Sequence, residues 1–163
     1  MSAREEGAAD SGDATKRRDF ESQFARAFIS LNRRGRFVEL AGARETSRTD
    51  PRGVRRWSRY CTMIANLEHW FRGGVDLLSP DTLLTEDKRS DSLKKLGAPE
   101  ECYAMSMTSE IDGRFLPLES AIRALSDGDN GTTLLICCPD RLAYYWHGEI
   151  FNVSAIIRKA RRH

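Results

Sequence analysis

No stretch of this chain is apolar for the roughly 20 residues that a membrane-spanning helix needs. Its longest strongly apolar run covers only residues 134–138. The opening residues, MSAREEGAADSGDATKRR, lack the apolar centre of a secretion signal. The expectation is a cytoplasmic protein with no membrane partner, or a nuclear one if the source is eukaryotic or viral. Cysteine is sparse: Cys61, Cys102, Cys137 and Cys138 form no C-x-x-C pair, so reduced, buried thiols are expected rather than a disulfide framework. In a strand, the vicinal pair would point to opposite faces. Histidine is sparser still, and His69, His147 and His163 fit no H-E-x-x-H or comparable ligand spacing, so no metal is assigned. The chain has no G-x-S-x-G, no G-x-x-x-x-G-K-[ST] and no G-x-G-x-x-G. Acyl transfer, NTP hydrolysis and dinucleotide binding therefore lack support, and neither cofactor nor catalytic residue is assigned. The run DGDNG resembles a calcium loop, but position 12 counted from Asp127 is Cys138 instead of glutamate.

The 163 residues are 40% hydrophobic and 31% charged, enough for one folded domain with a real core. A net charge of +2 conceals a division. Residues 15–72 hold 14 Lys and Arg against 6 Asp and Glu, a net of +8, whereas residues 73–157 hold 7 against 14, a net of −7. The last six, RKARRH, are basic again. Such asymmetry points to a polyanionic partner or to one half docking on the other. The expected organisation is a disordered tail over 1–14 and a single domain over 15–163. That domain divides into a basic helical half (15–74), an acidic sheet half (75–157) and a basic tail (158–163).

Apolar spacing supplies the elements. Phe20, Phe24, Ala27, Phe28 and Leu31 share one helical face, expected to end near Gly35 with Arg33 and Arg34 at the carbonyl end. Residues 36–49 read as a loop. Asp50 and Pro51 form a paired helix-start signal, and Trp57, Tyr60, Cys61, Ile64, Leu67 and Phe71 make a second stripe, stopped by Gly73 and Gly74. Beyond a short helix at 90–96 the period changes to two: Tyr103, Met105, Met107, Ser109 and Ile111 alternate towards a turn at Asp112-Gly113. Leu118, Ile122 and Leu125 suit a short helix. TTLLICC reads as a strand covered on both faces, and LAYYWHGE as its partner. The fold class is α+β: two N-terminal amphipathic helices on a small, mainly antiparallel sheet, with one intervening helix and a short C-terminal helix over FNVSAIIRKARRH, for which a final strand is the alternative.

Arg52, Arg55, Arg56 and Arg59 fall at i, i+3, i+4 and i+7, on a face that continues towards Met63 and Trp70. Cations at a helix N-terminus are locally unfavourable by about 0.3–1 kcal/mol each. Phosphates would reward them, because guanidinium forks onto oxyanions, and a nearby tryptophan adds stacking. The plain alternative is a solvated or internally paired surface.

A second candidate surface is Tyr144, Tyr145, Trp146 and His147, which presents an aromatic side as a protein interface if only one face of the sheet is covered. His147 with Glu149 would be the pair for an enzymatic reading; the plain alternative is a histidine hydrogen-bonded at a sheet edge. Taken together, these features predict a non-catalytic intracellular binding protein. Its arginine face, with Trp70, contacts an anionic partner, nucleic-acid backbone first and an acidic protein surface second. The alternative is an adaptor or immunity-like inhibitor whose acidic sheet half docks on a basic protein.

Overall fold

The computed structural model describes residues 3–44, 49–78, 86–126, 131–147 and 152–158. Helix α1 (Ala3–Phe28) seals its aromatic stripe inside: Phe24 and Phe28 are fully buried, with ring centroids 4.7 Å apart. Its backbone is helical from Ala3, so most of the expected tail over 1–14 is helix. Leu31 departs from the stripe. The helix ends at Phe28, Leu31–Arg33 form a 3-10 turn, and Leu31 is 79% exposed. Gly35 is no left-handed cap. It lies inside a second helix, α2 (Arg34–Ala43), where a loop had been expected. Phe37, Leu40 and Ala41, at i, i+3 and i+4, are that helix's buried face, and this burial outweighs the poor helix propensity of Gly35 and Gly42.

Helix α3 (Pro51–Ala65) begins where the Asp-Pro signal places it. The Asp50 side chain accepts a hydrogen bond from the Gly53 N–H at 2.6 Å, with Pro51 at the first helical position. Tyr60, Met63 and Ile64 are buried. The helix stops at Ala65, and a 3-10 turn over Leu67–Trp70 carries the apolar stripe onward before Gly73.

The remaining elements are β1 (Val75–Leu78), α4 (Glu86–Lys95), β2 (Glu101–Ser106), β3 (Phe115–Pro117), α5 (Leu118–Ser126), β4 (Thr133–Cys138), β5 (Leu142–His147) and β6 (Asn152–Arg158). The strands form one antiparallel sheet in the order β1-β6-β5-β4-β2-β3. The short C-terminal helix is thus corrected to a strand, inserted between β1 and β5. Its Val-Ser-Ala-Ile-Ile run has the β-branched content strands favour, and two neighbours pair its backbone. Two short helices intervene among the strands instead of one. At the end of α4, Gly97 adopts φ +102, a left-handed conformation that closes the helix.

Alternation assigns the faces. Tyr103, Met105, Leu134, Ile136, Ala143 and Tyr145 meet α1–α3 in one core. Cys102, Ala104, Leu135, Cys137, Tyr144 and Trp146 meet α4 and α5 in the other. Every residue of β4 is buried, as a central strand between two helical layers requires. A bulge between Ile136 and Cys138 places both vicinal cysteines in the second core, correcting the expectation of opposite faces. None of the four cysteines is in a disulfide; Cys102, Cys137 and Cys138 are buried. Burial pushes the Cys102 thiol up to about 12 and also raises Cys137. Among the described residues no helix is long and apolar enough to cross a membrane.

Candidate functional site

The cap, the register of α3 and its buried face together decide where the arginines go. With Gly53, Tyr60, Met63 and Ile64 turned inward, Arg52, Arg55, Arg56 and Arg59 are all exposed. Arg52, Arg55 and Arg59 make no ion pair with any described carboxylate. The Asp50 carboxylate at the N-cap offsets part of the local positive potential of dipole and arginines. The basic and acidic halves do touch, but elsewhere. Lys16 of α1 reaches Glu101 of β2 at 2.9 Å, and Arg44 reaches Asp112 at 2.8 Å.

The arginine face runs into an open cleft of about 430 Å³ between α2 and α3, lined by Arg36, Leu40, Ser58, Arg59, Thr62, Met63, Asn66 and Trp70. The buried side chains of Leu40 and Met63 give it apolar wall, and two exposed cationic residues, Arg36 and Arg59, line it. Arg59 and Trp70, singled out in the sequence, are thereby brought together; Arg52, Arg55 and Arg56 do not line the cleft. Arg36 was missed because its segment read as a loop. Arg33, assigned only to a helix end, also has a place here: its guanidinium lies 5.4 Å from the Trp70 ring centroid and donates to the His69 carbonyl at 2.8 Å. Arg34 fills the expected helix-end role, donating to the Ile29 carbonyl at 3.0 Å.

Behind this surface lies a buried polar network that the sequence did not announce. Arg44, 3% exposed, donates to Asp112 Oδ2 (2.8 Å), Glu21 Oε1 (2.7 Å), the Ala41 carbonyl (2.8 Å) and Tyr103 Oη (2.8 Å). Tyr103 donates in turn to Glu21, and Tyr60 to Asp112 Oδ1 at 2.6 Å. The Arg44 guanidinium also lies 4.5 Å from the Tyr60 ring centroid. Burial opposes the Arg44 charge, but Tyr60, Glu21, Asp112 and Tyr103 outweigh it and hold its pKa well above the ordinary value. Gly113, at φ +73, turns the chain so that Asp112 points inward. Asp112-Gly113 is therefore part of a longer connection between β2 and β3, where a tight two-residue hairpin was expected. This network pins α1, α2, α3 and the sheet together and is closed to a substrate.

The aromatic interface is corrected. Both faces of the sheet are covered, and Tyr144, Tyr145 and Trp146 are core residues, the last 8% exposed. His147 is half-buried at the end of β5, edge-on to Tyr145 with ring centroids 6.1 Å apart. Its strand lies inside the sheet between β4 and β6, so the edge position does not apply. Glu149, the acidic 127–130 loop and the basic tail beyond residue 158 lie outside the described residues. Among the described residues no group of three His, Cys, Asp or Glu side chains is placed to hold a metal ion. Comparison of the chain with protein-family models, with curated proteins and with solved structures finds no match.

Proposed function

We propose that this protein is a non-catalytic binding protein whose α3 arginine face receives an anionic partner, and that the partner is a nucleic-acid backbone. The observation that carries this reading is the exposure of Arg52, Arg55 and Arg59 with no described carboxylate against them, although the chain holds a surplus of acid in its other half. An internally satisfied surface would have brought those acids across. Instead three of those acids serve other cations: Glu101 pairs Lys16, Glu119 pairs Lys94, and Asp112 is buried on Arg44. The same pairing weakens the alternative, an adaptor docking its acidic half on a basic protein, because part of that charge is already neutralised.

Guanidinium groups spaced along one helix face suit a repeating phosphate chain, and each contact releases condensed counterions. The test is an anisotropy titration of a fluorescent single strand at about 50 mM and about 200 mM salt. Binding is expected at the lower concentration, weakened about 50-fold or more at the higher, and largely lost in R52A/R55A/R56A/R59A. No binding at low salt, or equal binding by the variant, overturns the reading. A stoichiometric protein captured from nuclease-treated extract, with no nucleic-acid binding, would favour the adaptor.

A further inference from the structure

We infer that the cleft between α2 and α3 takes one unpaired nucleotide, its base against Trp70 and its phosphate between Arg36 and Arg59, so that single strands are preferred over duplex. This inference rests on the nucleic-acid reading and specifies its ligand. The cleft's volume of about 430 Å³ falls within the range of about 300–1,000 Å³ typical of small-ligand sites, and its make-up matches the base face, the base edge and the phosphate of a nucleotide. For the base there is apolar wall from Leu40 and Met63 and the Trp70 indole. Arg33, anchored on the His69 carbonyl and lying over that indole, limits the ring's freedom before any ligand arrives.

For the phosphate there are two cations on facing helices. Arg59 meets no described carboxylate. Arg36 meets only Glu39, one turn along its own helix at 3.1 Å, in an exposed pair of the kind that contributes little and yields to a better anion. For the base edge there are oriented polar groups. The Thr62 hydroxyl donates to the Ser58 carbonyl (2.9 Å) and the Asn66 amide to the Thr62 carbonyl (2.8 Å). Thr62 therefore offers its oxygen as an acceptor, and Asn66 keeps its Oδ1 and a second N–H. A base inside a duplex cannot enter without unstacking and unpairing, whereas an unpaired base does so readily; hence the strand preference.

Three ligands of equal length test this: a fluorescent single strand of about 12 nucleotides, its abasic counterpart with the same phosphates, and a duplex. The intact strand is expected to bind about tenfold or more tightly than the other two, the gain of stacking at least one base. W70A is expected to lose that advantage while keeping the abasic affinity, and W70F to retain most of it. If wild type binds all three alike and R52A/R55A/R56A/R59A binds none, the arginine face stands and the cleft assignment falls. If wild type binds none at low salt, both fall. Should W70A fail to fold, the intact-against-abasic comparison on wild type decides alone.

Discussion

At the scale of single residues the main device is Arg44, a cation held by two carboxylates and a tyrosine with almost no solvent. Arg44→Met removes one charge and leaves Glu21 and Asp112 buried without it. The expected loss is about 3–5 kcal/mol, read as a large fall in the urea midpoint. A fall of less than about 1 kcal/mol would mean that the network is dispensable. Nothing in the sequence marks Arg44, which lies in GARETSRT, a run that looks too polar to pack. Its partners Glu21 and Asp112 stand 23 and 68 residues away, and pairing over such distances leaves no periodic trace. Arg52, Arg55, Arg56 and Arg59 were legible because a local rule, helical spacing after a cap, governs their exposure.

At the scale of elements, cap chemistry and alternation were readable and weak helices were not. The Asp50-Pro51 start is local, and its contribution is separable: Asp50→Ala loses the bond to the Gly53 N–H and should lower stability by about 1 kcal/mol in thermal or urea unfolding. The same change removes a carboxylate from the arginine face, so nucleic-acid affinity should hold or rise. An affinity that falls with stability unchanged would contradict the account. Helix α2 escaped notice because only three apolar residues, between two glycines, report its inner face. Strand β6 was misread as a helix because residues 150–160 lack clean alternation, and its identity is set by β1 and β5 on either side. The cleft lies between an element that was readable and one that was not, which is why only its α3 side and Trp70 were foreseen.

At the scale of the whole molecule, helical layers on both faces of the sheet bury all four tyrosines. That burial raises every phenol: Tyr144 to about 12, and Tyr60, Tyr103 and Tyr145 upward as well. Asp112 adds to the rise at Tyr60 and Glu21 to that at Tyr103, both against the pull of Arg44. Below about pH 10 folded and unfolded chains alike keep these protons, and the stability they contribute is complete. Above it the unfolded chain releases them while the native one holds on. Stability therefore falls as pH rises, by up to about 1.4 kcal/mol per pH unit for each tyrosine. Ultraviolet titration should show tyrosinate appearing together with loss of structure; ionisation near pH 10 with the fold intact would contradict the burial. The two-layered covering was partly legible in the strongly apolar run of β4, but covering of the second face by α4 and α5 was not, and it removed the aromatic surface that β5 suggested.

The same architecture leaves the arginines of α3 facing outward. The most direct test of that face is the slope of log affinity against log salt for a single strand, measured for wild type and for R52A/R55A/R56A/R59A. Wild type is expected to show a steep negative slope and the variant one shallower by about 3, the share of four phosphate contacts at about 0.7 each. Parallel slopes, or no salt dependence at all, would contradict it.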